Sequence, residues 1–263
     1  MEIYQPYHYP EEHKNAGVLS GFGLSAFGLG KYLERQQIKT NPLISHDPDC
    51  TPSFDKQFLD KAFEVISQSD KLSFFPIYRR NHTVGLVKED DHFLLLDSYN
   101  AFGAKDADHI PLLRFLRENF KDSHIHTLHD KMQSDYHNCA FFTVQNLVKV
   151  ERELNNKEIS LAKFIQEIDT EKYHQESLDN FEDVVKMKHY RELGIQSVAT
   201  PACLVPHFQS VKTAKAITKN SPEFNKAHKD EFDRFVVDRE HKGEIVRMNT
   251  NIQSINDDFR RSL

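Results

Sequence analysis

The stretch "LSFFPIYRRNHTVGLVKEDDHFLLLDSY", residues 72–99, contains three short runs rich in β-branched and aromatic residues, at 72–78, 82–88 and 92–99. The linkers between them, "RRN" and "EDD", are short enough to return the chain on itself, so the segment predicts strands joined by antiparallel hairpins. Upstream, "FDKQFLDKAFEVISQ" (54–68) has apolar residues at 54, 58, 62, 63, 65 and 66, the spacing of an amphipathic helix. Downstream, "HIPLLRFLRENF" (109–120) reads as a helix with Pro111 near its first turn, and "SHIHTLH" (123–129) as a further strand. Apolar positions 140, 141, 144, 147, 148 and 154 then recur with helical spacing, and "EISLAKFIQEI" (158–168) is a second helix of the same kind. The order helix, antiparallel strands, helix, strand, helix predicts an α+β domain rather than a parallel doubly wound one.

The chain has 263 residues, enough for a substantial core, and residues 55–200 are expected to form it. Residues 1–54 and 201–263 are then an accessory or regulatory region packed on that core. Four glycines, Gly21, Gly23, Gly28 and Gly30, crowd "GVLSGFGLSAFGLGKYL" (17–33). No strand precedes them and the Lys-Ser/Thr of a phosphate loop is missing, so close helix packing is the expected use. A net charge of −6 argues against broad attraction to nucleic acid or anionic membrane. No apolar run approaches the roughly 18 to 20 residues of a membrane-spanning helix. The start "MEIYQPYHYPEEHK" has neither a basic nor an apolar leader region, so no cleaved secretory signal is expected. Three distant cysteines, Cys50, Cys139 and Cys203, fit free thiols in a reducing compartment.

Chemistry concentrates in "MQSDYHNCAFFTVQNLVKV" (132–150), where Cys139 stands at the expected start of a helix. A helix N-terminus or a neighbouring imidazolium stabilises a thiolate and makes the sulfur nucleophilic. His82 heads one predicted strand and Asp97 lies near the end of the next, so antiparallel pairing brings a histidine and an acid together. The acid would fix the imidazole tautomer and stabilise the imidazolium. Gln133, six residues before the cysteine, is a candidate oxyanion donor together with the backbone N–H of Cys139. Each of these residues taken singly also has an ordinary structural reading, the cysteine as a buried apolar group, the histidine and acid as surface residues at hairpin ends, and the glutamine as a partner for a backbone group. His126 is the alternative base. His124 and His126 share a strand face, but a metal site needs a third ligand such as His129 or His137, and no metal site is expected.

The order His82, Asp97, Gln133, Cys139 resembles the CE clan of cysteine enzymes, which includes ubiquitin-like-protein proteases, bacterial effector deubiquitinases and YopJ acetyltransferases. Several stretches resemble the YopJ family in particular. "HTVGLV" with "FLLLDSYNAF" is similar to its histidine and acid strands, and "MQSDYHNCAFFTVQNLVKV" to its Gln-Ser and Cys-x-Phe segment. "CLVPHFQSVKTAKAITKNSPEFNKAHKDEFDRF" (203–235) is similar to its C-terminal block, where a His-x-Gln precedes a basic helix. Asp97 stands where that family usually has Glu, Ala140 where Gly follows the nucleophile, and Pro206 where Lys precedes the His-x-Gln.

The resemblance implies a short mixed or antiparallel sheet flanked by helices, with a mainly helical regulatory region. It implies an effector, secreted by a bacterium, that moves an acetyl group from acetyl-coenzyme A through a Cys139 thioester to Ser, Thr or Lys of host proteins, such as kinases or other signalling proteins, in the host cytoplasm. It also implies inositol hexakisphosphate as activator, with Lys212, Lys215, Lys219, Lys226, Lys229, Arg234, His207 and Gln209 as candidate ligand-binding residues. Lys212, Lys215 and Lys219 have the spacing of one helix face. Isopeptidase or deubiquitinase activity on the same fold, and an inactive host-protein binder, remain alternatives.

Overall fold

A computed structural model describes residues 19–20, 23–24, 26–44, 56–69, 71–79, 82–98, 109–128, 130–134, 138–168, 190, 192–219, 223–241 and 244–262. The three runs of the 72–99 stretch are strands β4 (Ser73–Arg79), β5 (His82–Glu89) and β6 (His92–Leu96). They pair antiparallel as the short linkers require, with Arg79 opposite His82 and Glu89 opposite His92. β3 (Leu43–Ile44) adds in parallel to the outer side of β4. On the other side the chain leaves β6, forms helix α3 (His109–Asn119) and returns as β7 (His124–Leu128), parallel to β6. β8 (Gln196–Val198) is parallel to β7, and the six strands run in the order β3-β4-β5-β6-β7-β8. The sheet is therefore mixed, with an antiparallel meander at its centre. This is the α+β class with a short mixed sheet flanked by helices. A separate pair, β1 (Leu19–Ser20) and β2 (Gly23–Leu24), precedes helix α1 (Ala26–Gln36).

Strand alternation sorts the apolar side chains onto two faces. Phe75, Ile77, Val84, Leu86, Phe93 and Leu95 join one core with helix α2 (Lys56–Ser67) and α3. Phe74, Val87, Leu94 and Leu96 join the other, with α1, helix α4 (Cys139–Lys157) and helix α5 (Leu161–Ile168). Gly28 and Gly30 are buried in α1, which reaches α4 through a Tyr32–Phe141 ring contact at 4.9 Å.

Helix α4 fixes the geometry of everything that follows. Thr143 Oγ1 donates to the carbonyl oxygen of Thr83 in β5 at 2.7 Å. One turn on, Leu147 lies over Gly85, where an added Cβ would stand 3.1 Å from Leu147 Cγ and Cδ2. A helical turn of four residues advances about 6 Å and two strand residues about 6.6 Å, so helix and strand stay in step. One turn back from Thr143 is Cys139, level with the start of β5.

The C-terminal part is mainly helical. A 3-10 turn (Ala202–His207), α6 (Val211–Thr218), a π turn (Phe224–His228) and α7 (Lys229–Arg234) come first. The antiparallel hairpin β9 (Val236–His241) and β10 (Glu244–Asn249) follows, and α8 (Asn251–Arg261) ends the described chain. The hairpin was not read from the sequence, because "VVDREHKGEIVRMN" is mostly polar and its apolar residues are partly exposed, with Ile245 79% exposed. Among the described residues no helix is long and apolar enough to cross a membrane.

Because Gly85 lets α4 approach the sheet, Gly85→Ala is expected to lower stability by about 1–3 kcal/mol through overpacking against Leu147. Chemical denaturation of the two proteins measures this. An unchanged midpoint would show that the helix does not press on the strand.

Candidate active site

His82 is the first residue of β5 and Asp97 directly follows β6. The β5–β6 register pairs Gly85 with Leu96, and continuing it makes His82 a same-face diagonal neighbour of Asp97. His82 Nε2 and Asp97 Oδ1 are 2.9 Å apart, with side chains only 11% and 4% exposed. The His82 ring also hydrogen-bonds the Cys139 side chain. With Nε2 engaged by the carboxylate, Nδ1 is the nitrogen left for the sulfur.

Burial on its own would depress the basicity of His82, but the charge and hydrogen bond of Asp97, and then Cys139, hold its pKa well above the ordinary histidine value. The favoured form is the imidazolium, the charge that a thiolate nucleophile needs beside it. Cys139 is buried at 7% exposure and opens α4, where the helix dipole adds positive potential.

Gln133 is oriented by Ser98, the residue after Asp97. The backbone N–H groups of Met132 and Gln133 both donate to the Ser98 carbonyl oxygen, at 2.9 and 2.8 Å. Ser98 Oγ donates to Gln133 Oε1 at 2.8 Å, which turns Gln133 Nε2 toward Cys139 Sγ at 3.3 Å. All four predicted catalytic side chains thus meet at the junction of two strand ends, one loop and one helix start.

The other candidates lie elsewhere. His207 is buried, with Nδ1 2.7 Å from Asn146 Oδ1, and burial plus the charge of Lys149 push its pKa down to about 3. Gln209 is buried behind the loop that carries Gln133 and Ser134. Its Oε1 accepts from Ser134 N at 2.5 Å and Ser134 Oγ at 3.0 Å, and its backbone N–H donates to Met132 O at 3.0 Å. Both residues are built into the support of the loop and of α4. Lys212, Lys215, Lys219, Lys226, Lys229 and Arg234 are all exposed on the helical C-terminal part, and Lys229 is paired with Asp233. His124 is exposed and stacks on His92 at 4.7 Å, while His126 is buried; His129, His137 and Cys50 lie outside the described residues.

Sequence reading missed three residues at this site. Ser98 and Asn138 adjoin predicted site residues and were open to inspection. Tyr190, a buried ring close enough to Asp97 to feel its charge, left no local signal.

Comparison with solved structures gives the same fold at low sequence identity. HopZ1a in complex with IP6 and CoA matches with a TM-score of 0.58 and 13% identity, over 90% of this chain and 84% of that one. HopZ1a in complex with IP6 matches at 0.54 and 13%, over 90% and 83%. A deletion variant of AvrA with IP6 and CoA matches at 0.51 and 11%, over 89% and 84%. No protein-family model and no curated protein sequence matches the chain.

The raised basicity of His82 has a directional consequence for stability. A histidine whose folded pKa lies above 6.5 contributes stability that is complete below that pH and is lost as pH rises through the folded value. Asp97→Asn removes the main support of the cation, so the loss in melting temperature should be larger at about pH 6 than at about pH 9. Thermal melts of both proteins across that range test it. A larger loss at the alkaline end would contradict the assigned charge state.

Proposed function

We propose that this chain is an effector acetyltransferase of the YopJ type. The reading is carried by one observation: Cys139 opens a helix within hydrogen-bond contact of both His82 and Gln133, with Asp97 behind the imidazole. Support comes from the shared fold with HopZ1a and AvrA, whose solved complexes contain CoA and IP6. Acetyl-coenzyme A is the proposed acyl donor.

In this reading Cys139 Sγ attacks the thioester carbonyl carbon, forming a new carbon–sulfur bond. The bond to the coenzyme sulfur breaks, and that sulfur leaves with the proton held by His82 Nδ1. Gln133 Nε2 and the Cys139 backbone N–H stabilise the oxyanion in the tetrahedral intermediate. In the second half, His82 removes a proton from a Ser or Thr hydroxyl or a Lys amine of a host protein. The acceptor takes the acetyl group, and the Cys139 thiolate is released. Asp97 keeps the imidazole oriented throughout and balances its charge when protonated.

Inositol hexakisphosphate is the proposed activator. The exposed cations Lys212, Lys215, Lys219, Lys226, Lys229 and Arg234 have the charge and accessibility to hold it, and Asp233 would share Lys229 with a phosphate. The bound polyanion would supply charge neutralisation that draws α6 and α7 together. The site of action is the cytoplasm of a host cell.

Incubating the protein with acetyl-coenzyme A and inositol hexakisphosphate should add one acetyl group to Cys139, as read by peptide mass spectrometry. Cys139→Ala should abolish the adduct and His82→Ala should slow its formation by about 10²-fold or more. Labelling by a ubiquitin-derived thiol probe with no acetyl adduct would replace this reading with an isopeptidase.

A further inference from the structure

The residue before the nucleophile is held by a helix more than a hundred residues away. Asn138 and Asn256 are both buried, and Asn256 Nδ2 donates to Asn138 Oδ1 at 2.7 Å. Asn138 Nδ2 in turn donates to Gln253 Oε1 at 3.2 Å. Both ends of this chain of amides terminate on charges in α8. Gln253 Nε2 donates to Asp257 Oδ1 at 2.8 Å, and Asn256 Oδ1 accepts from Arg260 Nε at 2.7 Å. A carboxylate can only accept and a guanidinium can only donate, so the ends fix the orientation of all three carboxamides. α8 is itself clamped to the same region. Phe259 packs on Tyr32 at 5.0 Å and on Phe141, in the first turn of α4, at 5.9 Å.

Asn138 occupies the N-cap position of α4, and asparagine is among the strongest N-capping residues because its side-chain oxygen accepts from the first-turn N–H groups. Here it does not. Its backbone sits at φ −106°, ψ 8°, outside the extended conformation of an ordinary cap, and its side chain makes no capping bond. The oxygen that would cap the helix is committed to Asn256 instead.

We propose that α8 is a positioning element for the nucleophile: Asn256 and Gln253 hold the Asn138 carboxamide away from the start of α4, leaving the first-turn N–H groups and their dipole to the Cys139 sulfur. This rests on Cys139 being the nucleophile. It assigns Asn256 and Gln253 a function in the reaction without contact with substrate. When the tether is cut, the Asn138 side chain is released to move toward the first turn of α4, where its oxygen competes for N–H groups that would otherwise favour a negative sulfur. Among the described residues, the ionisable groups around the sulfur are His82 from β5 and Asp97 after β6, with Asp257 and Arg260 of α8 at the ends of the amide chain. None of these is altered by the substitutions below.

The test is the rate of Cys139 alkylation by iodoacetamide in the full chain, resolved from the other cysteines by peptide mass spectrometry. Asn256→Ala should slow the reaction about three- to tenfold near pH 6.5 and by less than about twofold near pH 9, where alkali by itself favours the thiolate of any cysteine. Gln253→Ala, at a partly exposed position where little packing is lost, should act in the same direction. A side chain that cannot cap should break the linkage, so adding Asn256→Ala to Asn138→Ala should change the rate by no more than about twofold. An equal loss at both pH values, or an undiminished effect of Asn256→Ala in the Asn138→Ala background, would overturn the proposal. A wild-type Cys139 that alkylates near pH 6.5 no faster than an ordinary thiol would sink the nucleophile reading itself. Reactive wild-type sulfur with an unaffected Asn256→Ala variant would remove only the role of α8.

Discussion

The packing of α4 against β5 is the contact on which the rest of the structure depends. Gly85 removes the one side chain that would hold Leu147 away from the strand, and the Thr143–Thr83 hydrogen bond fixes the sliding position of the helix. Together they set distance and register between two rigid elements. A one-turn slip of α4 would move Cys139 by about 5.4 Å, well beyond hydrogen-bond reach of His82. The core on this face thus places the sulfur as well as stabilising the domain, so a single glycine in the middle of a strand helps set where Cys139 stands relative to His82 at its end.

Around that contact, polar groups transmit position where packing cannot. The Ser98 carbonyl ties the end of β6 to Met132 and Gln133, Met132 accepts from Gln209, and the Gln209 carbonyl accepts from Asn249 at the end of the hairpin. Pro206 O receives the side chains of both Asn249 and Asn251 at 3.1 and 3.2 Å. The loop that carries Gln133 is therefore anchored on one side to the sheet and on the other to the C-terminal part. Burial makes each of these bonds costly to break, because an amide or carbonyl left without a partner inside the protein loses its hydration with nothing in return.

How far the sequence revealed this arrangement follows from how local each signal is. The meander was legible because its strands are contiguous and its linkers short, and α2, α3 and α4 were legible because their apolar periodicity is strong. His82, Asp97 and Cys139 could be singled out because their chemistry is distinctive and each sits at a predicted element boundary, and Gln133 because it stands six residues before the cysteine. What stayed hidden depends on long-range partners. Nothing in the text of residues 251–261 connects Asn256 to Asn138, and nothing near Gln209 shows that its side chain turns back to Ser134. His207 and Gln209 stood out as exposed-type polar residues in a motif, yet both are buried. Polar residues committed to internal hydrogen bonds cannot be told from ligand-facing ones by composition.

Two pairs of like residues show that burial does not by itself decide the chemical environment of a side chain. Cys139 and Cys203 are both buried thiols, but Cys203 lies in the 3-10 turn, and its burial pushes its pKa far up. It is chemically a small apolar side chain. His82 and His207 are both enclosed imidazoles with opposite titration. His207 faces a neutral carboxamide with the Lys149 charge nearby, so burial prevails and the ring stays neutral. His82 faces a carboxylate and a sulfur, so opposite charge prevails over burial and the cation is retained. The difference lies in what the surrounding elements present. The ends of β5 and β6 bring an acid to the first histidine, and α4 brings a helix terminus to the first cysteine. The second histidine and cysteine, in the interior of the helical C-terminal part, receive neither.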